Sequence, residues 1–247
     1  MILKNLLWRL KNPLWTLKDL LKKLQERFLP MTFTINLKKG FNQDYYTLHR
    51  YDSKVEYASK QTGKTTDKLN RGWTGAWTTK ETISRIADYL EEKKVHDAKG
   101  LCHGVRTGDE VSWFNKTLGG KNVIGTDIDP TASAQADNIT QWDFQEENDA
   151  WKGKFDFIYS NSHDHASHPE KALQVWSEQI NENGFIFLEH SRTHGTAYSN
   201  KVDCWGVEPE LLPFAILRFK NANMIVKDLI VINEESAHAV YVLGRKP

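Results

Sequence analysis

Apolar residues divide the sequence into an amphipathic beginning, a polar middle and a long regular remainder. In residues 1–29, Asn12 and Pro13 are typical of a helix N-cap and first helical position. Apolar residues recur there at helical spacing, at Leu14, Leu17, Leu21, Leu24 and Phe28. This stretch therefore predicts one or two amphipathic helices. Residues 31–77 are polar apart from a strand-like run at 32–37, and predict an irregular extension able to cover an active site.

From residue 78 onward, short apolar runs alternate with helical patterns. Thr78 and Glu81 have the spacing of a capping box at the start of the first helix. The predicted strands are residues 100–103, 123–128, a short run ending near Trp142, 155–161 and 185–190. Such alternation predicts a parallel sheet with helices on both faces.

The end of the chain departs from this alternation. After a predicted helix around residues 208–219, two strands, 224–232 and 238–244, are joined by a short turn. They must be antiparallel, because a parallel crossover needs a dozen or more residues. The predicted fold is α/β, with a doubly wound, mostly parallel seven-stranded sheet ending in an antiparallel hairpin. The predicted organisation is an amphipathic, basic N-terminal extension over 1–77 and a ligand-binding domain over 78–247.

Charge follows the same division. Residues 1–77 contain 15 Lys and Arg against 6 Asp and Glu, a net charge of +9, and the rest contain 18 against 26, which is −8. The basic part is expected to face something anionic or the acidic part. Residues 1–29 have the character of a helix that lies on a membrane surface or on a partner, or else packs on its own domain or a second subunit.

Composition excludes several classes of protein. A hydrophobic content of 39% argues against global disorder, and no run reaches the roughly 18 apolar residues of a membrane span. The first residues lack the apolar region and cleavage site of a signal peptide. Two cysteines, Cys102 and Cys204, make no disulfide framework and suit a reducing compartment such as the cytoplasm. The sequence has no compact cluster of basic residues that would favour a nucleic-acid partner.

Candidate chemistry begins at the turn after the first predicted strand. Gly104 and Gly108 would let the backbone turn sharply and approach a ligand. The second strand ends in Asp127, about 20 residues later, a spacing that suits an acid accepting hydrogen bonds from ribose hydroxyls. The next strand ends with Asp143 between Trp142 and Phe144, where an acid could accept from an exocyclic amine while a ring packs on adenine.

The run from about residue 95 to 195 resembles class I S-adenosylmethionine-dependent methyltransferases. The phrases HGVRTG, IGTDI, WDF and DFIYSNSHDH look like a little-characterised group within that family. The resemblance implies S-adenosylmethionine as cofactor and a glycine loop at 104–108. Some residues are expected to bind the cofactor because of this resemblance and others because of their spacing. Together they are His103, Gly104, Arg106, Gly108, Asp127, Ile128, Trp142, Asp143, Phe144 and Asn161.

The glycine loop departs from the family pattern, which begins with an acid and carries a central glycine. Here Cys102 and Arg106 stand instead, so the expected contact to the methionine amine is weakened. Arg106 is expected to pair with the methionine carboxylate, or else to face solvent at the start of a helix. A nicotinamide-dependent oxidoreductase is the rival on this fold, but the loop does not supply G-x-G-x-x-G.

The fourth predicted strand delivers a histidine-rich loop to the expected position of the transferable methyl group. His165 is the preferred base for an acceptor hydroxyl, with Asp164 as orienter and His190 as a further catalytic candidate. No metal is assigned. The alternative is a divalent ion held by histidines and carboxylates that cluster after two strands, namely His163, Asp164, His165, His168, Glu189, His190 and His194.

The acceptor is expected to be a small or sugar-like molecule methylated on oxygen, because Asn161 lacks the Pro-Pro-aromatic continuation that the resemblance associates with amine methylation. Residues 190–206, with Tyr198, Asp203, Cys204 and Trp205, are expected to help form its pocket. A non-catalytic nucleotide-binding or scaffold protein on the same fold is the alternative, motivated by the altered glycine loop.

Overall fold

A computed structural model of the chain describes residues 45–71, 75–134 and 136–246. The strands in these residues are β1 Tyr46–Leu48, β2 Gly100–His103, β3 Val123–Asp127, β4 Ile139–Gln141, β5 Phe155–Ser160, β6 Ile180–His190, β7 Trp205–Val207, β8 Met224–Asn233 and β9 His238–Arg245. The α-helices are Lys54–Asn70, Lys80–Glu92, Asp109–Thr117, Pro130–Ser133, Pro169–Gln179 and Leu212–Arg218. None of these helices has the length and apolar content needed to cross a bilayer.

Seven strands form the main sheet in the order β4-β3-β2-β5-β6-β9-β8. The first five are parallel, β9 runs antiparallel to β6, and β8 runs antiparallel to β9. The predicted fold class is confirmed. The strand order reverses between β2 and β5, and in such sheets ligands bind beyond the carboxyl ends of the strands at this switch point.

Two hydrophobic clusters cover the two faces of the sheet. Along β5, Ile158 belongs to the cluster that includes Trp176, whereas Phe157 and Tyr159 belong to the cluster that includes Phe114. The strand therefore buries both faces, as expected for a parallel strand between helical layers. Because the strands are packed on both faces, the position of each strand end is fixed. The polar residues that follow a strand therefore also have a fixed position.

Several predicted boundaries shift in the structure. The helix Lys80–Glu92 is capped by Thr79, whose side chain accepts from the Thr82 amide, rather than by Thr78. Strand β6 begins at Ile180, earlier than the predicted residue 185, because pairing with β5 extends back to Phe155. The helix predicted around 208–219 is a 3₁₀ turn followed by the helix Leu212–Arg218.

The prediction of an irregular segment over 31–77 was wrong for residues 54–70, which form a helix of 17 residues. In the part of this helix whose side chains the structure describes, residues 54–63, the buried residues are Tyr57 and Gln61, which form no leucine or valine stripe that a periodicity search could detect. Strand β1 pairs antiparallel with β7. The described part of the predicted extension thus belongs to the same compact unit as the sheet. The helices predicted in 1–29 and the run 32–37 lie outside the described residues.

Candidate functional site

A cavity of about 540 Å³ lies at the carboxyl ends of the parallel strands, a volume in the range that suits small-molecule ligands. Turns after β2, β3, β4, β5 and β6 contribute to its wall, and Tyr57 and Gln61 contribute from the helix Lys54–Asn70. Of the predicted site residues, the lining contains Gly104, Arg106, Asp127, Ile128, Asp143, Phe144, Asn161, Asp164 and His165. The structure therefore brings together most of the residues selected from the sequence.

The turn after β2 is shaped around the carboxylate of Asp127. One Asp127 oxygen accepts from the Arg106 amide at 2.8 Å, and the other accepts from the Asp129 amide at 2.9 Å. Burial raises the pKa of Asp127, while these two amide bonds act in the opposite direction. Each carboxylate oxygen retains a second lone pair that can accept a hydrogen bond from a hydroxyl group.

Gly104 and Gly108 both have positive φ, at 77° and 76°, in the left-handed region that favours glycine. A Cβ atom at Gly104 would lie 2.6 Å from Ser162 Cβ, and one at Gly108 would lie 2.5 Å from Ile139 Cδ1. Gly108 does not line the cavity. It starts the helix Asp109–Thr117 and lets the turn pack against β4.

We expect Gly108→Ala to destabilise the protein by about 2–4 kcal/mol, because the left-handed conformation costs about 1–2 kcal/mol and the clash with Ile139 adds to it. Gly153→Ala is the matched control, since Gly153 has a φ of 65° but no atom within 4 Å of an added Cβ. Urea unfolding of both variants separates the cost of the left-handed conformation from the cost of the clash with Ile139. Equal destabilisation would show that packing against β4 contributes nothing.

Arg106 is buried in the cavity wall rather than facing solvent. Its guanidinium donates to the Gly75 carbonyl, and its Nε has no hydrogen-bond partner among the described residues. Burial lowers the pKa of Arg106, and the carboxyl groups of Glu110 and Asp127 act against this. The unpartnered Nε suits an anionic group of a ligand, because guanidinium binds carboxylates in two-pronged geometry.

Glu110 was not selected from the sequence, yet its side chain is 4% exposed and lines the cavity. Burial raises its pKa to about 8, and its Oε2 has no hydrogen-bond partner among the described residues. In the sequence it looks like an ordinary acid in the first helical turn, which the helix dipole favours. Only the fold shows that this acid points inward.

Four predicted site residues lie outside the cavity lining: His103, Gly108, Trp142 and His190. The His103 ring stacks on Trp176 and bonds to Thr126 and Gln179, and burial lowers its pKa to about 4. Trp142 donates to the Glu146 carbonyl. The positions of His103, Gly108 and Trp142 outside the lining do not favour the predicted contacts with the cofactor.

His190 is the last residue of β6, and its side chain is completely buried against β7. Its Nδ1 lies 2.9 Å from His163 Nε2, and its Nε2 lies 3.0 Å from the Val207 carbonyl oxygen. Burial holds the pKa of His190 and of His163 well below the usual range, so both rings are neutral. His190 does not line the cavity, so its position does not favour the predicted catalytic role.

Three histidines do line the cavity: His165, His194 and His238. Both ring nitrogens of His194 are engaged, since Nδ1 accepts from the Ser191 amide and Nε2 lies 3.3 Å from the Asn161 carbonyl oxygen. Both ring nitrogens of His165 also face polar groups, which are Gln61 and Asp203. His238, at the start of β9, was not selected from the sequence.

His238 is paired with a buried carboxylate. Its Nε2 lies 2.6 Å from Glu189 Oε1, while Glu189 Oε2 accepts from the hydroxyl of Tyr159. Burial and the charge of Glu189 raise the pKa of Tyr159 well above 10, so this hydroxyl remains a donor. In the neutral tautomer with its proton on Nε2, His238 donates to Glu189 and carries its lone pair on Nδ1. The geometry is that of a histidine base oriented by a carboxylate.

No protein-family model matches the chain, and no curated protein matches it by sequence. Solved structures share its fold. One is 1,6-didemethyltoxoflavin-N1-methyltransferase of Burkholderia thailandensis, bound to 1,6-didemethyltoxoflavin and S-adenosylhomocysteine, with a TM-score of 0.59 and 16% identity over 80% of this chain and 92% of that one.

Two further structures show the range of chemistry that this fold carries. An O-methyltransferase from a polyketide synthase of Brevibacillus brevis, in complex with S-adenosylhomocysteine, has a TM-score of 0.51 and 10% identity over 82% of this chain and 84% of that one. The cyclase SpnF has a TM-score of 0.55 and 12% identity over 77% and 78%. The chain therefore has the class I methyltransferase fold, while the reaction must be argued from its own cavity.

Proposed function

We propose that this protein is an S-adenosylmethionine-dependent methyltransferase that acts on an oxygen atom of a small-molecule acceptor. The observation that carries the proposal is the charge of the cavity. Among the residues that the structure describes, its lining contains six carboxyl side chains but one guanidinium and no lysine: Glu110, Asp127, Asp143, Asp164, Glu189, Asp203 and Arg106. S-adenosylmethionine carries a sulfonium and an ammonium, whereas the pyrophosphate of a nicotinamide dinucleotide would be repelled.

The described residues fit the parts of this cofactor. Asp127 would accept from the ribose hydroxyls, and Asp143 from the exocyclic amine of an adenine ring packed on Phe144. Arg106 and Glu110, each with an unpartnered buried atom, would hold the methionine carboxylate and ammonium. Glu110 would thus replace the acid that the glycine loop lacks. The bound cofactor supplies an electrophilic methyl group, and the protein supplies alignment.

We propose His238 as the base that removes the acceptor proton, with Glu189 as its positioning residue. This replaces the sequence-based preference for His165, whose Nε2 already lies 3.2 Å from an Asp203 oxygen. Hydroxyl-bearing residues of the lining, Ser191, Thr193 and Ser236, give this side of the cavity a polar character that suits a hydroxylated acceptor. The N1-methyltransferase and O-methyltransferase that share the fold act on different atoms, so the choice of oxygen depends on this polar lining and the base.

Calorimetric titration tests the proposed function. We expect one saturable site for S-adenosylmethionine and no saturable binding of NAD⁺, because of the acidic cavity. In a screen of hydroxylated small molecules with radiolabelled S-adenosylmethionine, we expect methyl transfer that His238→Asn reduces about 10²- to 10⁴-fold without loss of cofactor affinity. Failure to bind the cofactor would overturn the proposal. Tight binding without transfer to any acceptor would favour the scaffold alternative.

A further inference from the structure

A second chemical feature of the cavity wall is a cluster formed by Asp164, His165 and Asp203. One ligand atom from each residue lies within 4.8 Å of the other two. The residues come from separate segments: Asp164 and His165 from the 3₁₀ turn after β5, and Asp203 from the loop before β7. All three line the cavity. Residues so far apart in the chain converge here because β5 and β6 are neighbours in the sheet.

The tautomer of His165 follows from its neighbour Gln61. The Gln61 amide nitrogen donates to the Val202 carbonyl at 2.8 Å, so its oxygen must be the atom that lies 2.9 Å from His165 Nδ1. An amide oxygen only accepts, and Nδ1 therefore carries a proton. Metal-binding histidines are commonly oriented in this way: one ring nitrogen donates its proton to an oxygen, here Nδ1, and the other ring nitrogen, here Nε2, faces the ion.

The other nitrogen of His165 faces carboxylate oxygens. Nε2 lies 3.2 Å from Asp203 Oδ1 and 3.8 Å from Asp164 Oδ1. Both separations are shorter than about 4.2 Å, the largest distance between two ligands that each lie about 2.1 Å from one ion. An ion at the centre of the cluster is therefore compatible with small side-chain movements.

Asp164 supplies an independent indication of a ligand. Its side chain is buried, with the residue 6% exposed, and its Oδ1 has no hydrogen-bond partner among the described residues. A buried carboxylate oxygen without a donor is costly, because desolvation of a charged group is not compensated. This oxygen points into the cluster, where a cation would satisfy it.

We propose that Asp164, His165 and Asp203 bind a divalent transition-metal ion of the Mn²⁺ or Zn²⁺ type. Two carboxylates and one imidazole match these ions better than Mg²⁺ or Ca²⁺, which prefer oxygen ligands alone. Three protein ligands leave coordination positions open toward the cavity, where an oxygen of a bound molecule would complete the shell. The site does not depend on methyl transfer, so it can be tested independently of the proposed function.

The experiment is titration of chelator-treated full-length protein with MnCl₂, followed by the electron paramagnetic resonance signal of free Mn²⁺, and with ZnCl₂ by calorimetry. We expect one ion per chain, and at least tenfold weaker binding in Asp164→Asn and in Asp203→Asn. Asp149→Asn is the matched control, because Asp149 is exposed and pairs with Lys152. Its affinity should equal that of the unmodified protein.

A second measurement guards against misfolding of the variants. Saturating ZnCl₂ should raise the melting temperature of the unmodified protein and of Asp149→Asn, because an ion that binds only the folded state stabilises it. The two cluster variants should melt cooperatively without this rise. The site would be overturned if neither ion bound stoichiometrically, or if Asp164→Asn and Asp203→Asn bound the ion as tightly as Asp149→Asn.

Discussion

Replacing Asp127 by alanine is expected to weaken S-adenosylmethionine binding by roughly 30- to 1,000-fold. Two hydrogen bonds from ribose hydroxyls to a charged acceptor contribute about 2–4 kcal/mol together, and each 1.4 kcal/mol corresponds to a factor of ten. The carboxylate also accepts from the Arg106 and Asp129 amides, so its loss should loosen the turn after β2, beside which we propose that the cofactor binds. Calorimetric titration of the variant measures the loss directly.

Asp137→Ala is the control for this experiment, because Asp137 is an exposed carboxylate before β4 that does not line the cavity. It should bind S-adenosylmethionine like the unmodified protein. Asp127→Asn separates the contribution of the negative charge from that of hydrogen-bond acceptance, since an asparagine oxygen can still accept one hydrogen bond but carries no charge. Unchanged affinity in Asp127→Ala, with a cooperative melting transition, would show that the ribose binds elsewhere.

The sheet could be predicted from sequence because its signals are local and strong. Runs such as residues 155–161 are buried on both faces, and the short turn before His238 permits only antiparallel pairing. Asp127 and Asp143 could be placed at the cavity for a related reason, because the carboxyl ends of parallel strands meet at the same edge of the sheet. The helix Lys54–Asn70 was missed because the buried residues described in its first ten positions are Tyr57 and Gln61, which do not form an apolar stripe.

Residues whose role depends on tertiary packing could not be selected in this way. Sequence neighbours His163, Asp164 and His165 look equivalent, yet the fold buries His163 against His190 and turns the other two toward the cavity. Glu110 and His238 have ordinary surroundings in the sequence. Burial gives the Glu110 carboxyl its raised pKa, and Glu189, 49 residues away, pairs with the His238 imidazole; no local pattern records either.

Cofactor binding should be strongly pH-dependent because of Glu110. Its pKa of about 8 makes it neutral below pH 7 in the free protein, whereas the proposed pairing with the methionine ammonium requires the carboxylate. Binding must therefore release about one proton, and affinity should rise up to tenfold per pH unit between pH 5.5 and 7. In this window the α-amino group of the ligand, with a pKa of about 7.7–8.0, remains protonated.

Calorimetry in two buffers of different ionisation enthalpy measures the released proton, and titrations at pH 5.5, 6.2 and 7 measure the affinity. Glu110→Gln keeps the size of the side chain and removes the titration, so its affinity should be nearly independent of pH. The advantage of the unmodified protein over Glu110→Gln should shrink as the pH falls from 7 to 5.5, because ionising Glu110 on binding then costs more free energy. A pH dependence that persists in Glu110→Gln would assign the proton to another group, such as a cavity histidine.

The cofactor-free protein provides an independent check with a definite sign. The ordinary pKa of a glutamate is 4.5 and that of buried Glu110 is about 8, so the folded state binds more protons than the unfolded state between these values. Its contribution to stability is therefore complete below about pH 4.5 and is lost as the pH rises toward 8. Urea unfolding should show a steeper fall in stability over this range for the unmodified protein than for Glu110→Gln. Parallel curves would mean that Glu110 is ionised in the free cavity, and the proton release on cofactor binding would then not occur.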